Sequence, residues 1–223
     1  MIRTLPQVIP ADPGKPTRDG ARDTQLTSRA IAENPSAWSP RMARDTVDTY
    51  TRLAEAWEAE HGSYRPIPLA DALARGGPLP GGLCLEVGSG TGLLTPLLAS
   101  LWPRVLCLDL TAAMLRRSCA PWRVMADAAR LPLGDARAGA AVLADVPLFA
   151  EELVRVLTPE GVIVWSNALG AHAPHHVPVQ TVLAALNRAT APDAWSAVTA
   201  HAGWGLWAVF RRSGQRESAR RTP

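Results

Sequence analysis

Leu83-Cys-Leu-Glu-Val-Gly-Ser-Gly-Thr-Gly-Leu-Leu94 is the stretch that decides how the rest of the chain is read. Leu83 to Leu85 with Val87 make an apolar run of the kind that fills a buried strand. Glycines follow at alternate positions, Gly88, Gly90 and Gly92, and then a helix-forming run from Leu93 to Leu101. Strand, glycine turn and helix form the physical recipe for a nucleotide site. Glycine takes positive φ and lets a ligand approach where a Cβ would otherwise stand. The helix N-terminus adds unpaired N–H groups and the positive end of a dipole.

Spacing separates two uses of such a loop. A dinucleotide fold wants G-x-G-x-x-G after its first strand, and counting from Gly88 that places the third glycine at position 93, which is Leu93. The pattern here is E-x-G-x-G-x-G, with Glu86 two residues before the first glycine. Val105-Leu-Cys-Leu-Asp109-Leu then reads as a second strand ending in an acid, 17 residues beyond Gly92. An acid at that strand end can accept two hydrogen bonds from ribose hydroxyls. Thr111 to Arg117 reads as a helix with Thr111 as N-cap. Ala138 to Asp145 reads as a further strand, and Glu151 to Trp165 as helix, turn and strand. Ala194–His201 and Trp204–Phe210 flank Ala202-Gly203 and read as an antiparallel hairpin.

Taken with the segment Trp122-Arg-Val-Met-Ala-Asp127-Ala-Ala-Arg-Leu-Pro-Leu133, these motifs resemble the class I S-adenosylmethionine-dependent methyltransferases, in their small-molecule and quinone-type branch. The resemblance covers roughly residues 81–211. It implies an α/β fold, a Rossmann-like doubly wound seven-stranded mostly parallel sheet with a C-terminal antiparallel hairpin. The implied cofactor is S-adenosyl-L-methionine. Glu86 would end the first strand, and Gly88, Ser89, Gly90 and Gly92 would pass under the methionine part of the ligand. Asp109 and Leu110 would face its ribose. Asp127 would accept from the adenine amino group, with the Ala128 N–H on the ring. Asp145 would lie near the transferred methyl. The family's E-x-x-R-V-L-x-P-G-G segment carries Glu160 in place of its first glycine here, leaving Gly161 for any positive-φ position. Val146-Pro-Leu-Phe149 is not the N-P-P-Y signature of amide or base N-methylation, which counts against nucleic-acid adenine and protein glutamine targets; the resemblance to the small-molecule branch implies a small-molecule acceptor. A non-catalytic binding protein with the same fold is the alternative. A nicotinamide dehydrogenase is disfavoured by Leu93 and by the Asp127 segment.

Length and composition bound the reading. The 223 residues suit one domain with extensions. We expect a mostly disordered extension over 1–37, a helical lid over 38–80, the methyltransferase domain over 81–211 and a basic disordered tail over 212–223. No apolar run approaches the ~18 residues of a membrane span, and Met1-Ile-Arg-Thr-Leu-Pro lacks the apolar core of a signal peptide, so a cytoplasmic location is expected. Cys84, Cys107 and Cys119 form no CxxC pair and read as small core residues. The net charge of +3 is concentrated at the end: residues 211–223 hold five arginines against one glutamate, leaving the remainder at −1. The body shows no basic stripe with interleaved aromatics, which argues against a nucleic-acid partner. Oligomeric state is not legible.

Three features bear on an acceptor. Asp45–Glu60 reads as one amphipathic helix, whose Tyr50 or Trp57 would either touch a ligand or simply pack on the domain. Trp38, Trp57, Trp165, Trp195, Trp204 and Trp207 would either shape an aromatic pocket or fill the core. Asn167, His172, His175 and His176 follow the fifth strand of the domain, beyond the strand ends where open α/β sheets bind ligands. His175 or His176 is a candidate general base, and Asp145 a third catalytic candidate. The H-x-x-H-H spacing has no acidic or Cys ligand close in sequence, so no metal is expected.

Overall fold

Strict alternation along the apolar strands sets the layers. The computed structural model describes residues 1–14 and 21–213. Strands β2 (Leu83–Val87), β5 (Ala138–Ala144) and β6 (Leu157–Asn167) are mostly buried, and β3 (Arg104–Asp109) buries Val105, Cys107 and Leu108. Leu85, Val87, Ala141, Leu143, Ile163 and Trp165 face one layer; Cys84, Ala140, Val142, Val162 and Val164 face the other. A strand with side chains on both faces must bury both. Helices α7 (Ala150–Val156) and α8 (Val179–Arg188) cover the first face, and α4 (Pro66–Arg75) and α5 (Thr95–Ala99) the second. The expected doubly wound α/β architecture is the one observed.

With β1 (Ile2–Thr4), β4 (Arg123–Met125), β7 (Trp195–Ala202) and β8 (Gly205–Arg212), the sheet has eight strands in the order β1-β7-β8-β6-β5-β2-β3-β4. Only β8 runs against its neighbours, β6 and β7. The hairpin turns at Gly203-Trp204, with Gly203 at φ +56°, one residue later than expected.

The eighth strand is a departure from the seven expected. It lies in the segment whose composition suggested disorder: Ile2, Arg3 and Thr4 pair in parallel with Ala197, Val198 and Thr199. Helix α1 (Ala21–Glu33) also falls there, burying Ser28, Ile31 and Ala32. Both elements are held by partners far along the chain, as when Arg188 Nη2 donates to Ala32 O (3.0 Å). At the other end, Arg212 belongs to β8 and lies over Trp195 at 5.0 Å from the ring centroid, while residues 214–223 of the expected tail lie outside the described residues.

The helix expected over Asp45–Glu60 is two helices. Helix α2 (Pro40–Leu53) starts earlier, because Ser39 caps it by accepting from the Met42 N–H (3.3 Å) and Pro40 fits its first turn. Helix α3 (Trp57–His61) follows, with Ala54 and Trp57 turned onto Met114 of α6 (Ala112–Leu115). Thr111 occupies the N-cap position of α6, but its side chain makes no capping bond. Gly161 is not in the left-handed region; a Cβ there would lie 3.0 Å from Leu157 Cβ and Thr158 O, so its requirement is steric. Among the described residues no helix is long and apolar enough to cross a membrane.

Candidate functional site

A cleft of about 760 Å³, its open mouth included, lies at the carboxyl ends of β2, β3 and β5. That is where open α/β sheets place ligands. Gly88, Gly90, Asp109, Leu110, Asp127, Ala128, Asp145 and His175 line it.

Gly90 is the position that leaves room for a ligand. Its φ is +58°, and a Cβ there would meet nothing closer than Trp57 Nε1 at 3.7 Å. Gly88 and Gly92 are closed by packing instead: a Cβ would sit 2.3 Å from Val146 Cγ2 and 2.5 Å from Ser118 Oγ respectively. The loop is tied down from below. Gly88 N–H and Ser89 N–H both donate to Leu108 O (2.7 and 3.0 Å).

Asp109 sits one residue past the last rung between β2 and β3. Its Oδ2 accepts from Gly90 N–H (2.8 Å) and its Oδ1 from Thr111 N–H (2.7 Å). Burial raises its pKa in spite of both bonds. The Asp109 carboxylate lines the cleft. Asp127 accepts from Ala129 N–H on Oδ1 (2.9 Å) and from Trp38 Nε1–H on Oδ2 (2.9 Å). Trp38, which meets Phe149 edge-on at 5.8 Å, therefore closes one wall.

Not every candidate reaches the cleft. Glu86 is turned beneath the loop, 4% exposed, where its Oε2 accepts from Thr95 Oγ1 (2.6 Å) and Cys107 Sγ (3.4 Å). Strand parity explains this: Leu85 and Val87 face one layer, so Glu86 faces the other, beside Cys107 on the neighbouring strand. Burial pushes its carboxyl up to about 7. The same environment pushes the Cys107 thiol up to about 12, and burial raises Cys84 as well. Ser89 is buried with its hydroxyl unpartnered, and neither it nor Gly92 lines the cleft.

At the opposite wall Asp145 follows β5 directly, in the left-handed region at φ +56°. Its Oδ1 accepts from Asn167 Nδ2 (3.1 Å) and Ala168 N–H (3.2 Å), and its Oδ2 from Arg65 Nη1 (2.8 Å). Arg65 also donates to Ala144 O (2.8 Å) and lies over the Trp57 ring. The carboxylate is thus the counter-ion of Arg65. His176 bonds Asn167 (3.1 Å) outside the cleft. His175 lines the cleft, bonded to Tyr50 and Ser28. Arg65 and Ser28 escaped sequence reading, since neither sits in a recognisable pattern. Trp165, Trp195 and Trp207 are fully buried core, whereas Trp38 and Trp57 line the cleft. Among the described residues no group of three His, Cys, Asp or Glu could hold a metal.

Residues 85–165, spanning β2 to β6, match the family model of a methyltransferase domain. That stretch is similar to a methyltransferase domain. Its match begins within β2 and includes the glycine loop, Asp109, Asp127 and Asp145, which are the walls just described. No curated protein matches in sequence. Solved structures share the fold at low identity. A DhpI complex with SAH is 20% identical, covering 79% of this chain and 100% of that one, TM-score 0.63. The [4+2]-cyclase SpnF is 17% identical over 70% of this chain and 74% of its own, TM-score 0.55. A possible histamine N-methyltransferase from Thermotoga maritima is 14% identical over 74% and 98%, TM-score 0.55. At these identities the likeness is one of fold.

Proposed function

We propose that this protein is an S-adenosylmethionine-dependent methyltransferase acting on a small-molecule acceptor. The observation that carries the reading is Gly90, open on its Cα side to a cleft edged by the Asp109 and Asp127 carboxylates. S-adenosylmethionine would supply a methyl group on a sulfonium, an electrophile with its leaving group built in. The residues present fit it. Asp109, Asp127 and Asp145 against Arg65 give the cleft a net −2, which favours a cationic ligand. Asp109 would accept from ribose hydroxyls. Asp127 would take the adenine amino group beside Trp38. The cleft walls would then do what such a reaction asks of a protein, aligning donor and acceptor and excluding water.

The DhpI complex with SAH and the possible histamine N-methyltransferase support this reading by shared fold. A second reading, cofactor binding without methyl transfer, draws on the neighbour named as a [4+2]-cyclase. Isothermal titration with S-adenosylmethionine, S-adenosylhomocysteine and NAD separates them from a dehydrogenase. Micromolar binding of the first two and none of NAD is expected; binding of NAD alone would overturn the proposal. Release of S-adenosylhomocysteine across an acceptor panel then separates turnover from binding alone.

A further inference from the structure

Three side chains from distant elements meet at one corner of the cleft. Ser28 Oγ of α1 lies 2.9 Å from His175 Nδ1, and His175 Nε2 lies 3.1 Å from the Tyr50 hydroxyl of α2. Ser28 is completely buried. Both distances are within proton-transfer reach. Burial pushes the His175 imidazole down to about 4, against the attraction of Asp145, so the ring is neutral near pH 7.

This corner joins two spaces. Tyr50 and His175 line the cleft and also a groove of about 1240 Å³, mouth included, between α1 and α2. The groove walls carry the hydroxyls of Thr24, Thr27, Thr46 and Thr49 and the carboxylates of Asp23 and Asp45. Among the described residues no lysine or arginine lines it, so this lining favours a neutral or cationic acceptor over an anionic one.

Building on the proposed methyl transfer, we infer that the α1–α2 groove admits a neutral hydroxyl-bearing acceptor, and that Tyr50 takes its proton with His175 behind it. A neutral amine needs positioning alone, but a hydroxyl must lose its proton as its oxygen is alkylated. The acceptor oxygen forms the new C–O bond while the methyl–sulfonium bond breaks and its electron pair stays on sulfur. The hydroxyl proton passes to Tyr50 Oη, and the Tyr50 proton passes to His175 Nε2. The chain requires the tautomer with the proton on Nδ1, donated to Ser28 Oγ. One positive charge leaves sulfur as one appears on the imidazole, so the buried site never changes its net charge. Tyr50 is the residue that touches the acceptor; His175 and Ser28 position it.

The test uses the full-length protein with ¹⁵N-labelled histidine, saturated with S-adenosylhomocysteine and titrated with phenol, with toluene and with benzylamine. His175→Asn assigns the resonances. Expected are an Nδ1-protonated ring, a phenol-dependent shift at Nε2 that toluene does not produce, and its loss in Tyr50→Phe. An Nε2-protonated ring, an unmoved resonance with phenol, an equal shift with toluene or a preference for benzylamine would each overturn the assignment. S-adenosylhomocysteine binding with a silent His175 rejects this inference alone, whereas failure of S-adenosylhomocysteine to bind rejects the methyltransferase reading beneath it.

Discussion

Glu86 and Asp109 end neighbouring strands, yet one carboxylate is sealed under the glycine loop and the other is set at the mouth of the cleft. Their consequences differ accordingly. Glu86, with a folded pKa of about 7 against an ordinary 4.5, binds its proton more tightly in the folded state. Its stabilising contribution is therefore complete below about pH 4.5 and is lost as pH rises through 7. Glu86→Gln should match the wild type in urea unfolding at pH 5 and exceed it by on the order of 1–3 kcal/mol at pH 8; equal midpoints at both would reject the buried-acid account. Taking the difference between variants removes the opposite slope of His175, whose neutral burial is lost between pH 6.5 and about 4. Asp109→Ala removes charge-assisted bonds of about 1.5–3 kcal/mol each. S-adenosylhomocysteine affinity should fall about tenfold or more with the fold intact, and an unchanged Kd by titration calorimetry would refute the ribose assignment. The motif spacing exposed both acids, but it was blind to parity, and parity is what sends Glu86 to the wrong side of the sheet for a ligand.

At the scale of elements, the central strands were legible and the cap only in part. Runs such as Val105–Leu108 and Val162–Trp165 declare themselves because both faces are apolar. Strand β1 has three residues and little burial, too short for any periodicity to register. Helix α1 carries a sparse apolar stripe whose partner, α8, lies far ahead in the sequence. Helix α2 began earlier than its periodicity suggested because its start is set by Ser39 and Pro40. The Ser39 hydroxyl satisfies one orphan N–H of the helix that carries Tyr50 and Thr46 to the cleft. Ser39→Ala should cost about 1 kcal/mol. Hydrogen exchange should quicken in the first turn of α2 and leave β5 and β6 untouched; uniform protection in both variants would deny the cap its role.

On the scale of the whole molecule, the cleft is closed by groups from both sides of the central domain: Trp38 and Tyr50 before it, His175 after it. A ligand seated among them binds the folded chain and not the unfolded one. S-adenosylhomocysteine at 100 times its Kd should add about 2.7 kcal/mol, which for a chain of this size raises Tm by ~5–10 °C. Calorimetry showing no shift at saturation would mean that the cleft is not the binding site.

The pairing of residue 2 with residue 197 has a bearing on how the protein is born. A ribosome delivers this edge of the sheet about 195 residues before its docking place. At 5–20 residues per second the amino-terminal strand waits ~10–40 s for its neighbour. Throughout that interval the central βαβ units can assemble, while the strand and α1 behind it have nothing to lie against. The newborn chain thus acquires its glycine loop first and its roof last.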